Sequence, residues 1–474
     1  MLRNFDAVGA YRLFVEMIAE SLNDEGNPPD VVPFLGGHGG GGTPTWTAAF
    51  PIISALILEH GDEQIPVILY DRMRRFVEYG RNKTKNGGCF GAPDWGDWCP
   101  PAPNATTTTD CAGGSAQVSC WGYFQGVQAM ANWAALLKKT EDAADYAALV
   151  RTVRASWAEQ HQQATATSLL RDAGMASHNA RRSSGNVVDI KPKGKRDWVQ
   201  TINSLGLDMA AFGSSSSNST AAAALIAVVS DVERAGGHLQ TGIIGTKYLF
   251  RSLSLHGRAD IAWQVAATPT FPGYGYMIGQ GATSLWENWQ GTRYQPGGQL
   301  SQSGSSWNHI MYGSQGSFYY EHVAGIRLPR DGSGRGWRRI VLDPSVLRPL
   351  DHGGSTGATG PGSLSPVCAI SGDAKLVSAS ARSATPLGFA TIAWACDGLH
   401  GLTLNASVPV GATAQLFLPS NFGDHVTENG ATVFHQGVFV HGVAGVAAGH
   451  ASAPEAAYVL ELLSGSYAFD VRRS

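Results

Sequence analysis

Trp337-Arg-Arg-Ile-Val-Leu-Asp343 marks the place where the 474-residue chain changes character. Upstream of it, apolar residues recur at helical spacing. Phe5, Val8, Leu13, Phe14, Met17, Ile18 and Leu22 predict an amphipathic helix over residues 5–22. Further helical patterns cover about 46–60, 63–80, 121–138, 141–163, 197–212, 218–235, 246–256, 257–267 and 309–325. Helix follows helix, with Gly-, Pro- and aromatic-rich loops between, so an array of α-hairpins is expected. A closed α/α toroid is its natural form when loops carry the chemistry. No strict internal repeat is visible, which disfavours an open solenoid.

From Trp337 onward the runs are short and β-rich. They are Trp337–Asp343, Ala374–Ser378, Leu387–Trp394, Leu402–Val410, Ala414–Leu418, Gly437–His441 and Tyr458–Leu462, separated by Gly, Pro, Asn and Ser. That spacing predicts an antiparallel β-sandwich. The expected division is a mainly α domain over 1–333 and a sandwich over 334–474, with Gly353–Pro366 as a flexible insertion.

Charged residues make up only 15% of the chain and the net charge is −3, with no basic stripe for nucleic acid. The longest apolar runs, such as Ala221–Val229, are far shorter than a bilayer requires. Abundant Gly and 13 Trp suit a neutral, polyhydroxylated ligand better than a phosphorylated one. Gly36–Gly42 lacks the Lys-Ser/Thr of a phosphate loop and reads as a flexible loop. Oligomeric state leaves no mark on the sequence.

Six cysteines show no Cys-x-x-Cys spacing, which disfavours a zinc ribbon or redox pair. Cys368 is expected to pair with Cys396. Cys89, Cys99, Cys111 and Cys120 are expected to pair among themselves, in any of three ways. Disulfides and the sequons at Asn82, Asn104, Asn218 and Asn405 point to a secretory route, although no hydrophobic signal core opens the chain. His38, His238, Asp110 and Asp260 show no tight ligand spacing, and neither a metal nor a cofactor is expected.

Three aromatic–polar clusters fall between predicted helices. They are Pro44-Thr-Trp46-Thr, then Pro93-Asp94-Trp95-Gly-Asp97-Trp98-Cys99-Pro100, then Trp286-Glu287-Asn-Trp289 with Trp307-Asn-His309. Carboxylates perform proton chemistry, while flat rings stack on the apolar face of a pyranose, so the inventory is that of a glycosidase. Singly, each has a plainer reading: Asp94 and Asp97 cap turns, and the tryptophans fill a core.

In this order, the clusters resemble those of the α-L-rhamnosidases of the six-hairpin glycosidase superfamily. The resemblance rests on Gly237–Leu249, Gly273–Trp289, Trp307–Ile326 and Gly336–Pro344, with Asp30–Pro33 through Trp46 and Gly96–Trp98. It implies an (α/α)6 toroid followed by a β-sandwich, acting on α-L-rhamnosides. Glu287 resembles the general base of an inverting hydrolysis, and His309 a sugar-contacting histidine. Trp46 and Trp98 resemble the walls of a rhamnose pocket. Asp94, Trp95 and Asp97 are candidate rim residues, and Trp286 and Trp289 flank the base. That family carries its general acid in an Asp-x-Pro-x-x-Glu-Arg-x-Gly-Trp-x-Gly-Asp motif, which this sequence lacks. The expectation is an N-terminally incomplete toroid, starting after the acid, with weak or absent activity; the alternatives are a purely sugar-binding role on the same scaffold, or a six-hairpin hydrolase of another sugar.

Overall fold

Helices alternate between an inner and an outer layer through the first part of the chain. The computed structural model describes residues 4–5, 7–34, 36, 41–84, 86–90, 94–101, 116–172, 198–212, 219–289, 291, 306–348, 368, 376–397, 401–453 and 455–474. Its helices are α1 (Val8–Glu20), α2 (Pro44–Thr47), α3 (Ala49–Glu59), α4 (Ile65–Lys83), α5 (Ala116–Leu136) and α6 (Thr140–Asp172). They continue as α7 (Val199–Asp208), α8 (Ser219–Arg234), α9 (Ile243–Leu255), α10 (Ala259–Ala267), α11 (Tyr274–Gly279) and α12 (Gln315–Phe318). Contacts run α3 to α5 to α7 to α9 to α12, while α4, α6, α8 and α10 each pack outside this inner series.

The sequence explains which helix lies where. Apolar residues cover nearly every side of α5, and it is buried almost continuously from Val118 to Ala134, as an inner helix must be. In contrast, α4 buries Leu69, Tyr70, Met73, Phe76 and Val77 and exposes Asp71, Arg72 and Arg74. Close approach depends on Gly122 of α5. A Cβ there would lie 2.3 Å from the Pro44 carbonyl oxygen, so only glycine lets α2 press against this helix.

The helix expected over 309–325 is broken into a 3-10 turn (Ile310–Ser314), α12 and a π-helical turn (Tyr319–Ala324). Strand β1 (Ile326–Arg327) follows at once and pairs with β2 (Arg339–Leu342), so sheet structure begins ahead of residue 334. The later strands are β3 (Ser378–Thr385), β4 (Gly388–Cys396), β5 (Gly401–Val408), β6 (Thr413–Pro419) and β7 (His425–Glu428). After them come β8 (Ala431–His435), β9 (Val438–Phe439), β10 (Val446–Ser452), β11 (Ala457–Leu462) and β12 (Gly465–Arg472).

Two sheets form, ordered β1-β2-β6-β11-β10 and β3-β4-β5-β12-β7-β8-β9. Their inner faces share one hydrophobic cluster, including Ile340, Leu416 and Leu460 from one sheet and Ile392, Leu404, Phe469 and Val471 from the other. The sandwich departs from the expected antiparallel pattern at one place: β2 pairs with β6 in parallel. Parallel neighbours need a crossover, and here the chain supplies it by building β3, β4 and β5 in the opposite sheet before returning.

The same cluster continues into α9, α10 and α11, so the sandwich and the later helices share a core. At the junction, buried Asp343 pairs with Arg327 (2.5 Å) and Arg348 (2.8 Å). Burial pushes its carboxyl up, but the two guanidiniums outweigh that and hold it below its ordinary range. Cys368 and Cys396 form the expected disulfide, and Cys89 pairs with Cys120, which the sequence left open. Cys99 is disulfide-bonded as well. Cys111, Gly37–Gly40 and the 353–366 insertion lie outside the described residues. Among the described residues, no helix is long and apolar enough to cross a membrane.

Candidate active site

The aromatic–polar loops lie just ahead of inner helices, and hydrogen bonds draw them together. Trp46 sits in α2, directly before α3. Residues 94–99 lead toward α5. Glu287 and His309 precede the turn that enters α12, and Gly242 opens α9.

Asp97 holds two of these segments in place. It is fully buried, and it accepts hydrogen bonds from the Thr201 hydroxyl (2.5 Å) and from the N–H groups of Gly242 (2.8 Å), Ile244 (2.9 Å) and Gly245 (2.8 Å). The three amides are among the unpaired donors that every helix N-terminus presents, and a carboxylate is their natural partner. Burial pushes the Asp97 carboxyl above its ordinary range, an effect the Thr201 hydroxyl and the three backbone donors only partly offset. Gly245 permits this fit, because a Cβ there would come within 2.3 Å of Thr201 Oγ1 and 2.6 Å of Asp97 Oδ2. The Ile243 N–H also donates to the Trp98 carbonyl (2.9 Å). Asp97 is thus placed beneath the site, anchoring its neighbour Trp98, and has no exposed surface for a rim.

Trp98 reaches Glu287 from the other direction. Its indole N–H points at Glu287 Oε1 at 3.5 Å, and the Ser306 N–H donates to Oε2 at 2.8 Å. The Glu287 N–H donates in turn to the Ser306 carbonyl (2.9 Å), and the His309 N–H to the Leu285 carbonyl (2.7 Å). These bonds join the 285–289 and 306–309 segments in ladder fashion. Half-buried, Glu287 remains open on one side.

Trp98 in turn packs against two further indoles. Trp98 meets Trp46 edge-on at 6.3 Å and Trp95 edge-on at 5.4 Å, and Trp46 lies 6.4 Å from Trp95. Trp46 and Trp98 are half-buried, while Trp95 is 37% exposed. Trp95 is steered by its N–H bond to Asp30 Oδ2 (3.0 Å), and Asp30 Oδ1 accepts from the Thr43 N–H (2.6 Å) and hydroxyl (2.8 Å). Asp94 Oδ2 accepts from the Thr45 N–H (2.9 Å) and hydroxyl, and Oδ1 from the Gly96 N–H (3.2 Å). Asp94 therefore ties its loop to α2.

The tryptophans beside Glu287 lie deeper. Trp289 is wholly buried, donates to the Thr241 carbonyl (3.0 Å) and packs 4.1 Å from Tyr312. Tyr312 donates to the Cys99 carbonyl (2.5 Å), which ties this core back to the 94–99 loop. Trp286 is 7% exposed and lies 6.2 Å from the more exposed Trp307. Trp286 and Trp289 are both core residues flanking Glu287. His309 is half-buried, and its Nδ1 has no hydrogen-bond partner among the described residues.

Sequence reasoning did not single out Asp30, Thr43, Thr45, Thr201 or Ser306 as site residues. Each supplies a hydrogen bond across a long sequence gap, and small polar residues carry no local signal of such a partner. Ser306 acts through its backbone, to which side-chain identity is blind. What the residues make together is a half-open carboxylate at the foot of an aromatic wall, capable of proton transfer beside a stacked ring.

Comparison with known proteins agrees with this inventory. Residues 1–323 match the family described as the bacterial alpha-L-rhamnosidase 6 hairpin glycosidase domain, and residues 325–432 match the bacterial alpha-L-rhamnosidase C-terminal domain. An alpha-L-rhamnosidase of Streptomyces avermitilis is 30% identical over 223 residues, covering 45% of this chain and 18% of that protein. One from Formosa agariphila is 25% identical over 420 residues, covering 88% of this chain and 38% of that protein. The chain thus spans well under half the length of these relatives. Among solved structures, the alpha-L-rhamnosidase from Dictyoglumus thermophilum superposes with a TM-score of 0.72 at 22% identity, covering 99% of this chain and 44% of that one. The Streptomyces avermitilis alpha-L-rhamnosidase complexed with L-rhamnose gives 0.67 at 24% identity, covering 98% and 36%. At these identities the structural likeness establishes the fold.

Proposed function

The chain belongs to the bacterial α-L-rhamnosidase six-hairpin glycosidase family, and on that premise we propose that the Glu287 site binds a terminal α-L-rhamnose and hydrolyses its glycosidic bond with inversion. The observation that carries this reading is the half-buried Glu287 carboxylate, which accepts from the Ser306 amide, with the Trp98 indole N–H 3.5 Å away and Trp46 and Trp95 packed on Trp98. Rhamnose has an apolar face, and Trp46, Trp95 and Trp98 offer rings for it to stack on. Glu287 takes a proton from water on the opposite side of the anomeric carbon, and that water attacks as the aglycone leaves. His309, half-buried on the segment paired with 285–289, contacts a sugar hydroxyl through its ring. Trp286 and Trp289 shape the floor, and Asp94 and Asp97 position the wall.

An inverting site needs a second carboxyl, the acid, about 6.5–9.5 Å from the base. Asp30, Asp94 and Asp97 each accept several hydrogen bonds, and Asp97 is sealed from solvent. Asp97 is therefore not the acid, and Asp30 and Asp94 are mainly committed to holding the tryptophan loops. Lack of general-acid assistance slows hydrolysis by roughly 10²–10⁴-fold, and least for aryl leaving groups that depart without a proton. The disulfides fit an oxidising, extracytoplasmic compartment.

The test combines calorimetry with rhamnose and a rate assay on an aryl rhamnoside, using wild type and Glu287→Gln. The expected outcome is rhamnose binding by both proteins, with slow turnover by wild type that disappears in the variant. Equal turnover by the two would refute Glu287 as the base. Binding with no turnover by either would leave a carbohydrate-binding role on the same scaffold.

A further inference from the structure

Far along the chain from Glu287, the sandwich places two imidazoles face to face. His425 opens β7 and His435 closes β8, and the two residues are direct partners in the antiparallel register. Their Nδ1 atoms are 3.4 Å apart, with the ring planes at 83°. That is longer than the roughly 2.7–3.2 Å of a good N–H hydrogen bond. It matches a different geometry. Two nitrogens bound at about 2.0–2.1 Å to one tetrahedral zinc ion are separated by about 3.3–3.4 Å.

We infer that His425 and His435 form a surface site for a divalent transition-metal ion, with zinc(II) the best geometric match. Both imidazoles bind as neutral rings through Nδ1, with their ring protons on Nε2. Among the described residues, no cluster of three His, Cys, Asp or Glu side chains surrounds a metal position. Water therefore fills the remaining positions, and His435 is exposed enough to admit it.

The scaffold fixes the pair in advance. Asn429 and Gly430 both have positive φ (46° and 82°), the requirement of a tight two-residue hairpin turn. β7 is also held on its other side by β12, with His425 in register with Arg472. The Arg472 guanidinium is paired with Asp470 at 2.7 Å, which offsets its repulsion of a cation. Asp424, next to His425, adds negative charge close to His435 and is itself held by the Ser474 N–H and hydroxyl. A bound ion ties β7 to β8 at the open end of their hairpin. Rigid ligands lose little freedom on binding, which favours affinity.

The experiment is calorimetric titration of the 474-residue chain with zinc chloride in a non-chelating buffer, alongside His425→Ala, His435→Ala and the exposed control His450→Ala. Wild type and the His450 variant should each bind one more equivalent than either hairpin variant. Zinc should raise Tm in those two proteins only, by ligand linkage. Rhamnose affinity should be the same in all four, which separates this site from the sugar reading. No saturable binding by wild type, or equal stoichiometry in wild type and both hairpin variants, overturns the inference.

Discussion

Replacing Asp97 by alanine strands four donors at once. The Thr201 hydroxyl and the amides of Gly242, Ile244 and Gly245 all converge on this carboxylate, and three of those four bonds are fully buried. Each buried donor left without a partner costs about 1–3 kcal/mol. Even at the low end, with some relief from water entering the space, Asp97→Ala should destabilise the fold by about 4 kcal/mol. Asp97→Asn preserves volume and separates the effects. With its amide nitrogen toward Thr201, that hydroxyl turns round and accepts, so only the Gly242 N–H is stranded. The cost then falls to about 2 kcal/mol, comprising one orphaned donor and the lost charge at the α9 N-terminus. Urea unfolding measures the totals. Hydrogen exchange gives the local readout: Asp97→Asn should lose local protection at the Gly242 amide alone, and Asp97→Ala at the Gly242, Ile244 and Gly245 amides. An alanine variant within 1 kcal/mol of wild type, with those amides still protected, would refute the anchoring role.

Two further outcomes are expected. Burial lowers the His322 pKa from 6.5 to about 4, so the unfolded chain binds the proton more tightly. Its stabilising contribution is complete above pH 6.5 and is lost as pH falls toward 4, by about 3 kcal/mol in total. His322→Gln should flatten the dependence of unfolding free energy on pH across that window. The Cys89–Cys120 disulfide closes a loop with a sequence separation of 31, worth about 3–4 kcal/mol in the chain-entropy account. Serine at both positions should lower Tm correspondingly, and an unchanged Tm would show that the bridge constrains nothing.

Much of the helical layer was legible because its signal is periodic. The expected 63–80 and 218–235 helices fall within two or three residues of α4 and α8 at most of their ends. The pattern at 309–325 is equally helical, yet the chain must turn there to deliver Ile326 to β1, and the helix breaks into 3-10, α and π turns. The sandwich was harder to read. β10 (Val-Ala-Ala-Gly-His-Ala-Ser) has small and polar residues on both faces and offers no alternation. β12 does alternate, with Tyr467, Phe469 and Val471 buried, and its signal was available. The parallel pairing of β2 with β6 is a property of topology, which no local pattern encodes.

In the site, composition identified the loops, but only packing separates the roles of their carboxylates. Asp94, Asp97 and Glu287 look alike in sequence, each an acid within two residues of a tryptophan. A carboxylate offers about four lone-pair positions. Asp97 has four donors and no exposed surface, so it positions. Asp94 has three, all from α2 and its own loop, and Asp30 three, from Thr43 and Trp95. Among the described donors Glu287 has two, one of them at the long distance of 3.5 Å, and it is half-exposed. Of these four acids Glu287 has the most spare acceptor capacity; Asp94 and Asp30 are half-buried like it but each carry one donor more. A proton is taken from water by an oxygen that is not already engaged, which favours Glu287 as the proposed base, while the bonds made by the other three hold the tryptophan loops.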